Sequence, residues 1–288
     1  MVVLTYARVA VMGRLLVPFA KWYGVKSVRK LTRFGEQGWL AIYYTLSNSA
    51  GLYVMYNGPH WMNTGGFWEG YPEGHQQMSA SMKTYYLMQT GFWFQQIFVL
   101  LIEERRKDFV AMFTHHIIAC NLLVITLYAN ITRVGNVILC CADSSDILLS
   151  VTKCLRYMKL DKLSTVGFTI FTLSWIYTRH YLYIKIMLSI IYESRQYIPY
   201  DMWEPERGAH FNWEVKWTFV LLLGILQLLL IYWLALVLRV AYRFVCAGDL
   251  EDNRSDAEDD GDEQEDVCDS ENGDSNQRNL LSSKKKAE

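Results

Sequence analysis

The sequence predicts an all-α polytopic membrane protein of about seven transmembrane helices with a disordered acidic C-terminal tail. Three observations predict it. Apolar runs of roughly 18 to 21 residues recur along a chain of 288 residues that is 52% hydrophobic and 15% aromatic, and such a run crosses a hydrocarbon core ~30 Å thick. Charge is segregated: residues 249–288 hold 15 Asp/Glu against 5 Lys/Arg, leaving 14 acids and 23 bases for residues 1–248, so a net charge of −1 hides a basic body and an acidic tail. The bases of the body also cluster between the apolar runs, as they do in loops that stay cytoplasmic during insertion.

Residues 1–25 make a weak or truncated first span, because 2–20 are apolar apart from Arg8 and Arg14, and no cleavable signal peptide is expected there. Six clearer spans follow at roughly 38–57, 84–102, 109–129, 134–152, 164–190 and 218–238. Lys21, Lys26, Arg29, Lys30 and Arg33 mark one cytoplasmic loop, Arg105, Arg106 and Lys107 a second, and Lys153, Arg156, Lys159 and Lys162 a third. Arg239 and Arg243 mark the cytoplasmic exit of the last span. The segments 58–83 and 191–217 are poor in bases and rich in Gly, Pro and Trp, which places them on the luminal side or in the interface. Seven spans put the amino terminus outside the cytoplasm, which implies a preceding span absent from this chain. Cys120, Cys140, Cys141, Cys154, Cys246 and Cys268 show neither metal spacing nor a disulfide framework and read as small apolar side chains.

The tail at 249–288 carries 12 acids in residues 249–269 and cannot bury a core, so it is expected to be disordered. It ends in KKAE, whose lysines match a dilysine retrieval signal of endoplasmic-reticulum membrane proteins, with this end in the cytosol. Ser255 and Ser270, each followed by acids, read either as acidophilic-kinase sites or as solvated low complexity.

The residues with chemistry to offer sit inside the spans. FTHHII places His115 and His116 six or seven residues into the 109–129 span, about 10 Å deep. CADSSDILL places Asp143 and Asp146 nine and six residues from the cytoplasmic end of the next span, three apart and so on one helix face. A loop of about four residues makes the two spans antiparallel neighbours, so the four groups are expected to converge on one cavity open to the cytosol. A charge at the centre of a spanning helix costs ~2.5–3.5 kcal/mol on insertion scales, which makes a functional site the default reading. A structural His/Asp network joining two helices is the alternative. Arg179 and His180 in WIYTRHYLY either supply a counter-charge or snorkel; His60, His75 and His210 fall in loops and are expected to be solvated. Asn130-Ile131-Thr132 is a sequon abutting a span, where glycosylation is not expected; Asn253-Arg254-Ser255 lies on the cytosolic side.

Histidine takes up a proton near neutral pH or attacks an activated acyl group, and aspartate orients it and stabilises the imidazolium. A phosphate-binding loop, a flavin fingerprint and zinc spacing are lacking, and six scattered histidines cannot build the repeated clusters of a di-iron oxygenase. The elongase pattern H-x-x-H-H fails because its first position is Met112.

RKDFVAMFTHHII, NITRVGNVILCCADSSDILLSVTKCLRYM, RKLTRFGEQGWLAIYYTLS and YNGPHWMNTGGFWEGYP together resemble the Lag motif and flanks of fungal ceramide synthases, in the TLC-domain family, over roughly residues 26–243. The resemblance implies a TLC domain at 26–243 that transfers a fatty acyl group from acyl-CoA to the amine of a sphingoid base, making dihydro- or phytoceramide in the endoplasmic reticulum. It puts the essential positions on His115, His116, Asp143 and Asp146, with the aspartates orienting imidazole and countering the ammonium. Ala142 stands where several animal members have a further histidine, and fungal relatives usually have another amino-terminal span. General-base and acyl-imidazole routes both remain open. Arg105, Arg106, Lys107, Lys153 and Arg156 fall where the phosphates of CoA would sit, although the positive-inside rule alone also accounts for them; Arg179 is a further substrate-binding candidate. No metal and no cofactor is implied, since acyl-CoA is a substrate. Kinship further implies a small single-span accessory subunit, homo- or hetero-dimerisation with another synthase, and no nucleic-acid partner. The competing readings are a non-catalytic lipid-sensing or translocation-associated TLC protein and an elongase-like condensing enzyme.

Overall fold

Long apolar runs punctuated by capping residues give seven long helices among the residues described in the computed structural model, which are 1–103, 107–198 and 203–247. Helix α1, Val2–Tyr23, passes through a π-helical turn at Met12–Leu16 and ends at Gly24, whose φ of 109° suits only glycine. Ser27 then caps α2, Val28–Tyr56, by accepting from the Lys30 amide, and Ser79 caps α3, Ala80–Ile102, by accepting from the Met82 amide. Helices α4 (Phe109–Tyr128) and α5 (Thr132–Tyr157) meet at a tight turn in which Asn130 takes a φ of 56°. Residues 161–197 form one rod, α6, interrupted by π-helical segments at Tyr177–Leu182 and Ser189–Glu193. Helix α7 spans Trp213–Ala247.

Val2–Tyr23, Phe109–Tyr128, Thr132–Tyr157 and Trp213–Phe244 are long and apolar enough to cross a membrane on length and composition alone. Helices α2, α3 and α6 carry buried polar residues, among them Gln37, Ser47, Gln89, Gln95 and Arg179, which lower their apolar character while turning it inward. The chain divides into two compact units, Met1–Glu104 with Val110–Leu238, and Arg105–Phe109 with Arg239–Glu288. The first holds everything described below. The described part of the second is the approach to α4 and the last turns of α7. Arg105, Arg106, the tail at 249–288 with its KKAE end, Cys268, Ser255 and Ser270 lie outside the described residues.

Helix α5 is the spine of the first unit, lying closest to α2 and then to α6. Small residues permit this approach: a Cβ on Gly51 would stand 2.5 Å from Cys140 Sγ and 2.9 Å from the Tyr85 hydroxyl. Two apolar clusters fill the interior. One joins α4, α5, α6 and α7 around Phe171, Ile190, Phe219 and Leu223, and the other joins α2, α3 and α4 around Tyr43, Tyr86 and Phe92. Helix α5 runs to Tyr157, past the expected span end near 152.

The segments 58–79 and 203–212 close the other end of the unit. Arg133, near the start of α5, donates to the carbonyls of Gly66 (3.0 Å), Glu69 (2.9 Å) and Gly74 (3.3 Å). Trp68 is fully buried and donates to Ser189 Oγ at 3.0 Å, while the Tyr71 hydroxyl donates to Ala129 O at 3.1 Å and accepts from the amides of His210 and Phe211. Arg207 pairs with Glu73 and Glu204. The side-chain amide of Asn130 donates to Gly208 O at 3.0 Å, so this sequon is engaged within the fold.

His60 and His75 are buried, at 2% and 4% exposure, which corrects the expectation that loop histidines are solvated. The physical reason is that the loop folds back on α5, whose Asn136 Oδ1 lies 3.0 Å from His60 Nε2. His75 presents Nδ1 to Asn130 O at 3.0 Å and Nε2 to Glu69 O at 3.2 Å. Burial, reinforced by the Arg133 charge, pushes its pKa down from 6.5 to about 4. The folded protein thus keeps His75 neutral where the unfolded chain protonates it, so stability should fall as pH drops from about 6.5 toward 4. Thermal unfolding in detergent across that range checks this: His75→Gln should flatten the slope, and an unaltered slope would refute it.

Candidate active site

A helix presents successive side chains about 100° apart, so adjacent histidines face different surroundings. His116 is 6% exposed and donates Nδ1–H to the Met112 carbonyl one turn back, at 2.6 Å. That bond assigns the tautomer and leaves Nε2 with its lone pair. His115 faces a cavity, and its Nδ1 has no partner. The two rings lie 5.5 Å apart edge to face; Trp93 stands 5.5 Å from His115 and 5.6 Å from His116, and Trp233 stands 5.4 Å from His115.

The cavity has a volume of about 60 Å³ and is partly open to the outside. It follows α4 from His115 to Thr126, about 16 Å at 1.5 Å per residue, and its opposite wall includes Ile138, Leu139 and Cys141 of α5. Helices α4 and α5 are joined by a short turn, and α5 also lies against α2 and α6; the cavity lies between α4 and α5, with α6 and α7 completing its walls. Apart from His115, Arg179 and Thr178 the lining is almost wholly apolar.

Arg179 stands where the helix passes through the π-helical segment Tyr177–Leu182, a widened turn frequent at functional positions. It is 5% exposed and makes a 2.6 Å ion pair with Asp146. It also donates to Ser145 Oγ at 2.8 Å and to Ala142 O at 3.1 Å, with its guanidinium carbon 4.4 Å from the centre of the Trp175 ring. Asp143 is fully buried, and its Oδ2 accepts from Ser47 Oγ at 2.7 Å and Gln89 Nε2 at 2.9 Å. Its Oδ1 has no partner.

The structure therefore brings His115 and Arg179 to one cavity, while His116 turns to the Met112 carbonyl and is not part of the lining, and the carboxylates turn to other partners. No histidine–aspartate hydrogen bond exists among the described residues, which corrects the expectation that the aspartates orient the imidazoles directly. The reason is direction: Asp143 turns to Ser47 of α2 and Gln89 of α3, and Asp146 turns to Arg179 of α6. Lys153 and Arg156 occupy the last turns of α5, Lys107 precedes α4, and Arg105 and Arg106 are outside the described residues. His180 pairs with Gln227 of α7 at 2.8 Å rather than with either carboxylate.

Comparison with known proteins decides the kinship. The model of the TLC-domain family, which covers TRAM, LAG1 and CLN8 proteins, matches residues 33–239. The chain belongs to the TLC-domain family. Within it, this TLC protein is 39% identical over 264 residues to sphingosine N-acyltransferase lag1 of Schizosaccharomyces pombe, covering 92% of this chain and 67% of that one. It is 36% identical to the sphingosine N-acyltransferase-like protein ALT7 of Alternaria alternata, covering 90% and 66%. Against ceramide synthase LAG1 of Saccharomyces cerevisiae it is 32% identical, covering 90% and 63%. The chain thus spans about two thirds of the length of these curated relatives, and it sits on their ceramide-synthase branch of the TLC family.

Several members of the site were not found by sequence reasoning. Ser47 and Gln89, which hold Asp143, lie among other polar residues of α2 and α3, in TLSNS and QT, and nothing local sets them apart. Trp93 and Trp233 carry no signal in a chain with ten tryptophans. Arg179 and Asp146 were each singled out by their place inside a span, but their pairing with each other was not.

Proposed function

We propose that this TLC-domain protein is a ceramide synthase that transfers a fatty acyl group from acyl-CoA to the amine of a sphingoid base in the endoplasmic-reticulum membrane, with its acidic tail in the cytosol. The observation that carries this reading is the His115 imidazole at one end of an apolar cavity, with the His116 ring beside it, in a chain whose relatives are named sphingosine N-acyltransferases. A sphingoid ammonium does not attack a thioester, so a base must first remove a proton; the free Nε2 of His116 or the ring of His115 is placed for that, or for carrying the acyl group as an acyl-imidazole. Arg179, held by Asp146, sets the electrostatics of the cavity wall, and Asp143 anchors α5 to α2 and α3. Lys153 and Arg156, in the last turns of α5, attract the phosphates of CoA. The reaction requires no cofactor. A single-span accessory subunit and pairing with a second synthase complete the working assembly.

Microsomes carrying the chain, given a sphingoid base and labelled acyl-CoA, should form labelled ceramide; tight lipid binding with no product would favour a sensing role instead.

A further inference from the structure

We infer that the indole N–H groups of Trp93 and Trp233 hold the acyl carbonyl oxygen beside His115 and stabilise the charge it gains during transfer. The inference rests on the acyltransferase reading above and extends it to residues outside the histidine and aspartate pairs. Each tryptophan is 5% exposed, and neither Nε1 has a hydrogen-bond partner. An indole nitrogen only donates, and leaving such a donor buried and unpaired costs ~1–3 kcal/mol. Both rings stand edge to face against one imidazole, at interplanar angles of 67° and 80°, Trp93 from α3 and Trp233 from α7. Trp93 also lines the cavity and reaches His116.

Two donors without acceptors therefore flank the ring that faces the cavity. The missing partner is a pure acceptor that enters with the substrate, and a thioester carbonyl is such a group. Trp39 and Trp175 also carry unpartnered N–H groups, but Trp175 lies against Arg179 and Trp39 packs against Tyr43 on α2, with no ring contact to either imidazole.

In the transfer step a nitrogen lone pair bonds to the thioester carbon while the C=O π pair moves onto oxygen. The oxyanion then re-forms C=O and expels the CoA thiolate, which takes up the proton that imidazole removed from the amine. Amine and thioester become amide and thiol. Whether the first nitrogen is the amine or an imidazole, the oxygen gains charge in the same place, and preset donors stabilise it more than they stabilise the ground-state carbonyl.

The test uses the full chain in microsomes with dihydrosphingosine and either palmitoyl-CoA or hexacosanoyl-CoA, whichever the wild type accepts. Trp93→Phe and Trp233→Phe keep an aromatic ring and remove the N–H. Each should lower kcat by about 10²-fold while the KM for acyl-CoA moves less than about threefold; Trp39→Phe should keep wild-type kcat. Thermal unfolding of each variant monitors the fold, and if one fails to fold the other carries the test. A kcat within about twofold of wild type in both cavity variants, or an equal loss in Trp39→Phe, overturns the inference alone. A wild type that makes no ceramide overturns the acyltransferase reading and the inference together.

Discussion

His115→Ala and His116→Ala each reduce ceramide formation by about 10²–10⁴-fold, the usual contribution of a positioned acid–base group, with the helical fold retained. The two substitutions should differ in detail. His116 is tied through Nδ1 to the Met112 carbonyl, so His116→Gln, which can still donate to that carbonyl, should fold as well as wild type and remain inactive. His115 has no such anchor and faces the cavity, so its loss should cost nothing in stability. Labelled ceramide output and thermal unfolding of the same microsomal preparations check both statements. Either alanine variant with wild-type turnover would remove the histidine pair from the chemistry.

Arg179→Ala is the substitution with the largest expected effect on stability. It strands Asp146 in a site whose side chain is 18% exposed, and breaking a buried ion pair from one side costs ~3–5 kcal/mol. Arg179→Lys should not recover the loss, because an ammonium cannot bond Asp146, Ser145 Oγ and Ala142 O in the fork that guanidinium spans. The double variant Arg179→Leu with Asp146→Leu should regain most of the stability while making no ceramide, since it removes both charges but also the polar end of the cavity wall. Thermal unfolding and turnover measured on the three variants separate these outcomes. If Arg179→Ala unfolds at the wild-type temperature, the ion pair is not what holds α6 to α5.

The helical architecture was legible because each apolar run reports its own length and each cluster of bases reports a loop. Ser27 and Ser79 even mark the starts of α2 and α3. The histidine and aspartate pairs were legible for an equally local reason: ionisable groups inside apolar helices are costly and stand out. Their mutual arrangement was not. The expected meeting of imidazole and carboxylate assumed that neighbouring spans turn these groups toward each other, whereas Asp143 turns to α2 and α3 and Asp146 to α6.

What the sequence determined by itself is therefore what a single helix can state: the apolar helices, the titratable residues inside them, and the kinship carried by their order along the chain. What only the tertiary structure decided is which helix faces which. Close approach of α5 to α2 at Gly51, and its tie to α6 through Arg179, fix the arrangement of helices around the cavity. Such choices depend on side-chain size and hydrogen bonding between segments remote in sequence, Ser47 with Asp143, Gln89 with Asp143 and Trp233 with His115, and no local pattern encodes a pairing across that distance.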